Sequence, residues 1–109
     1  MKKMILVVTA LCLLTAGSAI GKTVNGKLTV QGLCDMCKTR IEKTALDVSG
    51  VTQAEWNNET KVLTLQFDSA KTKLETISKE LAKVGHDTDK DKADDEAYND
   101  LPGCCRYKG

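Results

Sequence analysis

Two cysteines separated by two residues, Cys34 and Cys37, stand in the stretch VQGLCDMCKTRIEK, residues 30–43. A dithiol with this spacing can hold a metal ion, shuttle electrons through a disulfide, or cross-link a fold. The pair lies where an extended segment gives way to a helical one, and Asp35 is placed to cap the helix. Because a helix N-terminus stabilises negative charge, the metal-binding thiolate form is favoured there.

Two thiolates on a short loop suit a soft ion that accepts few ligands, and Cu(I) is the leading case. Structural zinc normally takes four ligands, which this pair alone does not supply. A thioredoxin-like redox site would place an aromatic residue before the pair and a cis-proline opposite it, whereas the one proline here is Pro102. Two alternatives to metal binding stay open: a thiol–disulfide oxidoreductase, and a binding module in which the cysteines are oxidised or buried for stability only.

The N-terminus has the pattern of a secretory signal peptide. Two lysines precede an apolar run, residues 4–14, and small residues follow it. The run is shorter than the roughly 20 residues of a membrane span. We therefore predict a signal peptide over residues 1–21, cleaved near Ala19–Gly21, and export to the periplasm; an uncleaved N-terminal anchor is the alternative.

The charge balance excludes a nucleic-acid partner. The chain has 16 basic and 15 acidic residues, and removal of the two N-terminal lysines leaves 14 − 15 = −1. No block of like charges remains for nucleic acid.

We expect a monomer, with a metal-bridged dimer as the alternative.

Hydrophobic periodicity predicts strand, helix, strand, strand, helix over residues 23–93. The predicted bounds are 23–32, 35–50, 51–56, 61–68 and 71–84. A polar edge strand at 86–93 would complete a ferredoxin-like βαββαβ fold of the α+β class, with two helices on one face of an antiparallel sheet. The predicted organisation is a signal peptide (1–21), one domain (22–93) and a cysteine-containing C-terminal tail (94–109), which we expect to hold one short helical turn and then to be irregular.

The motifs together resemble the heavy-metal-associated domain. The similarity lies in a strand ending V-Q-G-L-C-D-M-C, the following K-T-R-I-E-K-T-A-L, then V-S-G-V, and a second helix ending V-G-H. The resemblance covers roughly Thr23 to Ala93 and implies the ferredoxin-like fold, soft-metal binding by Cys34 and Cys37, and transfer of the metal by ligand exchange without catalysis. Copper chaperones, domains of copper-exporting ATPases and the periplasmic mercury-binding protein belong to this family.

The loop departs from the family pattern in being one residue shorter, because Leu33 directly precedes Cys34. Leu33 or Met36 is expected to anchor the loop from below. For Met36 a packing role is favoured over that of a thioether ligand.

Three further residues are candidate auxiliary ligands. His86, the only histidine, follows the second helix and is expected near the cysteine loop, as a third ligand, as a counter-charge, or as a loop residue without a role. For Cys104 and Cys105 three interpretations stay open: a four-sulfur site shared with the loop pair, disulfides to the loop pair, or a separate flexible tag. Metal binding is slightly favoured.

These observations predict a small exported protein, not an enzyme, that buffers a soft ion or passes it to a partner. Cu(I) is the favoured ion, and Hg(II) or Zn(II) belong to the same class. The expected partner is a membrane metal transporter or efflux component.

Overall fold

The computed structural model describes residues 22–108, so the predicted signal peptide lies outside the described residues. The first five elements follow the predicted order of strand, helix, strand, strand and helix, and two short helices lie in the C-terminal tail. The elements are β1 (Thr23–Thr29), α1 (Asp35–Leu46), β2 (Val51–Trp56), β3 (Val62–Asp68), α2 (Leu74–Lys83), α3 (Asp95–Asn99) and a 3₁₀ helix (Gly103–Cys105). Within residues 22–108, no helix has the length and hydrophobicity needed to span a membrane.

The sheet is antiparallel, with β3 between β1 and β2. Leu63, Leu65 and Phe67 alternate along β3 with exposed or half-buried polar residues, and all three are buried. Ile41 of α1 and Ile77 of α2 belong to the same core. Both helices therefore cover one face of the sheet, as predicted.

The predicted edge strand at 86–93 is reduced to a single antiparallel bridge between Val30 and Thr88. The polar side chains of this segment accept hydrogen bonds from its own backbone: Thr88 Oγ1 from Asp91 N at 2.9 Å and Asp87 Oδ1 from Ala93 N at 2.7 Å. Such local bonds compete with a strand ladder. The segment therefore turns along the edge of β1 instead of pairing with it throughout.

The short helical turn predicted for the C-terminal tail is present as α3, but the residues after it are not irregular, because a 3₁₀ helix follows and the tail, residues 94–108, packs onto the domain. Leu101 is buried in the core. The Tyr107 hydroxyl donates to the Gly85 carbonyl oxygen at 2.9 Å and accepts from Asp87 N at 2.8 Å. We refer to residues 94–108 as the docked tail.

Gly85 follows the end of α2 and also lies against the docked tail. Its φ of +103° is a conformation that favours glycine. A Cβ at this position would lie 3.0 Å from the carbonyl oxygen of Ala97 in α3. The residue that follows α2 is thus also the point where α3 approaches the domain.

Candidate metal centre

The docked tail brings all four cysteines of the described chain together. Cys34 Sγ lies 3.6 Å from Cys37 Sγ, 2.8 Å from Cys104 Sγ and 3.3 Å from Cys105 Sγ. Cys37 and Cys105 are joined by a disulfide, and Cys34 and Cys104 are free. The sulfur atoms of Cys34, Cys104 and Cys105 all lie within 4.8 Å of one another, a separation that suits a shared metal ion. We refer to these four residues as the cysteine cluster.

The loop cysteines are placed by the start of α1. Cys34 is the N-cap residue, in an extended conformation, and Cys37 lies in the first turn with its side chain fully buried. Asp35, predicted to cap the helix, is instead its first residue. The Lys38 N–H donates to the Cys34 carbonyl oxygen at 3.0 Å, which closes the first turn.

Trp56, which sequence reasoning missed, supports the cysteine loop from below. Its indole N–H donates to the Val30 carbonyl oxygen at 2.9 Å, and its ring is buried. A Cβ on Gly32 would lie 3.1 Å from the ring and 3.0 Å from Cys37 Cβ, so the loop approaches the core as closely as a glycine permits. The signal in the sequence was the single tryptophan at the end of a predicted strand.

Leu33 and Met36 do not anchor the loop, because their side chains are 46% and 53% exposed. The expected packing role is therefore wrong for both. Met36 Sδ lies 3.7 Å from Cys104 Sγ, at the outer rim of the cysteine cluster.

The 3₁₀ helix presents the tail cysteines to the loop. The Cys105 N–H donates to the Pro102 carbonyl oxygen at 2.8 Å, and the Cys105 side chain is fully buried while Cys104 stays exposed. Arg106 fixes the turn from the other side, donating through Nε to the Leu101 carbonyl oxygen at 3.1 Å. In this structure the tail is thus not a separate tag, and the disulfide interpretation holds for one pair.

The hydrogen bond between the free thiols Cys34 and Cys104 shifts their pKa values in opposite directions. It lowers the pKa of Cys34, and burial and the Asp35 charge only partly oppose this effect. The same bond raises the pKa of Cys104. Arg40 Nη1 lies 3.7 Å from Cys105 Sγ and supplies positive charge at the cluster. Cys34 is therefore the cysteine that ionises first.

His86 is not part of the cysteine cluster. Its side chain is fully buried, and Nδ1 donates to the Gln31 carbonyl oxygen at 2.7 Å. Nε2 is buried without a hydrogen-bond partner among the described residues. Burial lowers the pKa of His86, with the Arg40 charge acting in the same direction. A neutral histidine that stacks on Tyr107 fits a role in seating the docked tail.

The sequence matches the family model of the heavy-metal-associated domain over residues 27–87. A search of curated protein sequences finds no match.

Solved structures of the same fold include a CopZ metallochaperone, with 27% identity over 60% of this chain and 98% of that one, at a TM-score of 0.58. Oxidized MerP from Ralstonia metallidurans CH34 is 29% identical over 62% of this chain and 94% of that one, at a TM-score of 0.59. The water-soluble region of the P-type ATPase CopA from Bacillus subtilis is 28% identical, over 63% of this chain and 46% of that one, at a TM-score of 0.58. These likenesses confirm the predicted ferredoxin-like α+β fold, and each covers about three fifths of the chain.

Proposed function

The chain belongs to the heavy-metal-associated domain family, and we propose that it is an exported protein that carries Cu(I), or an ion of similar softness, on Cys34 and Cys37. The observation that supports this function is the 3.6 Å separation of the two loop sulfur atoms at the N-terminus of α1. Thiolates are the ligands that soft ions prefer. The solved relatives include a metallochaperone and a P-type ATPase region, which supports a metal-binding and metal-transfer role over an enzymatic one.

Transfer to a partner would proceed by exchange of thiolates. An incoming thiolate forms one metal–sulfur bond as one bond to the carrier breaks, and a second exchange completes the transfer. Each incoming thiol gives up a proton as each released thiolate takes one up, so the metal keeps its oxidation state. The lowered pKa of Cys34 increases the fraction of its thiolate, the form that capture of an ion requires.

The disulfide in the structure gives little support to a dithiol oxidoreductase. Such an enzyme would cycle a bond between the two cysteines of its CxxC motif. Here Cys37 is bonded to Cys105 of the docked tail, and Cys34 is free. The disulfide therefore joins the cysteine loop to the docked tail. It must be reduced before metal is loaded, because reduction frees the Cys37 thiol.

The test is an anaerobic titration of the reduced protein with Cu(I) against a colorimetric chelator, with Zn(II) alongside. We expect the wild type to compete for Cu(I) and Cys34→Ser/Cys37→Ser to lose competition. Thr39→Ala, an exposed position one turn along α1, is the matched control and should bind as the wild type does. Failure of the wild type to compete for either ion would overturn the proposal. N-terminal sequencing of protein recovered from the periplasm tests export, with cleavage expected near Ala19–Gly21.

A further inference from the structure

The docked tail is held by contacts that do not involve sulfur. Leu101 is buried in the core, and the Tyr107 hydroxyl makes two hydrogen bonds to the backbone of Gly85 and Asp87. Tyr107 also packs edge-to-face on Tyr98, with ring centroids 5.0 Å apart. None of these contacts depends on the disulfide, so we expect the tail cysteines to stay beside the loop when it is reduced.

We propose that in the reduced protein Cys104 and Cys105 join Cys34 and Cys37 in one four-thiolate site for a divalent d¹⁰ ion such as Zn(II) or Cd(II). The inference rests on the proposed function and extends it, because the loop pair alone offers only two ligands. Four thiolates satisfy the tetrahedral preference of these ions without water.

The sulfur separations favour a tetrahedral over a linear arrangement. With metal–sulfur bonds of about 2.3 Å, tetrahedral ligand atoms stand about 3.8 Å apart and linear ones about 4.6 Å apart. Cys34 Sγ lies 3.6 Å from Cys37 Sγ and 3.3 Å from Cys105 Sγ. Two separations must lengthen to reach the tetrahedral value. The 2.8 Å contact with Cys104 requires a movement of about 1 Å, which the exposed Cys104 is free to make, and the sulfur atoms of Cys37 and Cys105 move apart once their disulfide is reduced.

The charge of such a site is offset by its surroundings. Four thiolates and one divalent cation leave two net negative charges. The guanidinium of Arg40 lies 3.7 Å from Cys105 Sγ, and the N-terminus of α1 adds positive potential at Cys34 and Cys37. Asp35 opposes them from the first turn of that helix.

Loading requires one redox step before the ion enters. A dithiol reductant supplies two electrons and two protons to the Cys37–Cys105 disulfide and becomes a disulfide itself. The protein then holds four thiols. Binding of the ion displaces four protons from the thiols and replaces the water ligands of the ion with four metal–sulfur bonds, with no further change of oxidation state. Formation of the disulfide between the tail and the loop therefore prevents the ion from binding.

Burial indicates the order in which the ligands exchange. Cys37 and Cys105 are fully buried, Cys34 is half-buried and Cys104 is exposed. The most open approach for an incoming thiolate is therefore on the Cys104 side. Cys104 is thus the ligand released first, and the two buried cysteines are released last.

The test is X-ray absorption at the zinc edge on the reduced chain carrying Cys12→Ser, so that only the four cysteines of the cluster report. We expect one Zn(II) per monomer with four sulfur scatterers, and three sulfurs with one oxygen or nitrogen in Cys104→Ser. Cys104→Ser/Cys105→Ser should show two sulfurs and lose at least about tenfold in Zn(II) affinity, since even loss of an outer-shell partner costs that much. Lys108→Ala, in the same tail but outside the cluster, should keep four sulfurs.

Two results would overturn the inference while leaving the proposed function intact. Two sulfurs in both the wild type and the tail double variant would mean that the tail supplies no ligand. Four sulfurs retained in the double variant, with a dimer by light scattering, would mean that two loops share one ion. Cu(I) titration separates these results from failure of the proposed function, in which the wild type would bind neither ion. Because Cys104 is exposed, Cys104→Ser provides a readout even if Cys105→Ser impairs folding.

Discussion

The sulfur atoms of Cys34 and Cys104 lie 2.8 Å apart although 70 residues separate them in the chain. The contact links the cysteine loop of a heavy-metal-associated domain to a tail that lies outside the matched family region. The same hydrogen bond lowers the pKa of Cys34 and raises the pKa of Cys104.

Cys104→Ala should raise the pKa of Cys34, because it removes the donor that stabilises the Cys34 thiolate. The rate of Cys34 alkylation by iodoacetamide, followed by peptide mass spectrometry across a pH series, should then rise at higher pH than in the wild type. The experiment uses the form with the Cys37–Cys105 disulfide intact, so that Cys34 is the loop thiol that reacts. Met36→Leu removes the other neighbour of the Cys104 sulfur and should leave the profile in place. An unchanged profile in Cys104→Ala would contradict the assigned hydrogen bond.

Gly32→Ala should destabilise the protein by about 1–3 kcal/mol, the usual cost of overpacking. The added Cβ would lie 3.0 Å from Cys37 Cβ and 3.1 Å from the Trp56 ring, both of which are buried. Gly103→Ala is the matched control, since a Cβ there meets nothing within 4 Å. Urea unfolding, with Trp56 fluorescence as the signal, measures both. Equal midpoints for the two variants would show that the loop has room to relax.

The sequence predicted well those elements whose burial follows a local period. Leu63, Leu65 and Phe67 alternate along a strand, Cys37 and Ile41 recur at helical spacing, and all five are buried. Each of these positions is decided by neighbours two to four residues away.

The position of the tail could not be predicted in the same way. It depends on contacts between residues far apart in sequence, such as those of the Tyr107 hydroxyl with Gly85 and Asp87. Such contacts leave no periodic pattern in the sequence. The same limit applies to the expected strand at 86–93, where side-chain bonds to the local backbone outweighed pairing with β1. What the sequence left open was therefore which of three roles Cys104 and Cys105 play.

Tyr107→Phe should lower the free energy of unfolding by about 1–3 kcal/mol, because it leaves the half-buried Asp87 N–H and the Gly85 carbonyl without their partner. Tyr98→Phe is the control: its hydroxyl accepts only from the exposed Lys108 N–H, and its loss should cost less than about 0.5 kcal/mol. In the reduced protein, Tyr107→Phe should also increase the alkylation rate of Cys105, which is fully buried while the tail is docked. Equal effects of the two variants would show that the docked tail is held in another way.

Desolvation raises the pKa of Tyr107 to about 12, above its ordinary value of 10.0. The neutral phenol is thus favoured in the folded state. Its contribution to stability is fully present below pH 10 and is lost as the pH rises towards 12. Absorbance of the tyrosinate should titrate later in the wild type than in the Tyr107→Phe variant, which retains only Tyr98. Superimposable titrations per tyrosine would contradict the buried position of the ring.

His86 should make the folded state sensitive to mild acid. Burial, aided by the Arg40 charge, lowers its pKa below the ordinary 6.5, while the Gln31 carbonyl and Asp87 act in the opposite direction. A folded-state pKa below the unfolded one gives a contribution to stability that is present above pH 6.5 and is lost as the pH falls through the folded-state value. Urea unfolding at about pH 7.5 and about pH 5 therefore brackets the loss. His86→Asn keeps a donor for the Gln31 carbonyl but does not titrate, so the loss between the two pH values should be smaller in the variant. Protonation of carboxylates destabilises the wild type and the variant equally. An identical loss of stability in the two proteins would mean that the imidazole is already solvated when it takes up its proton.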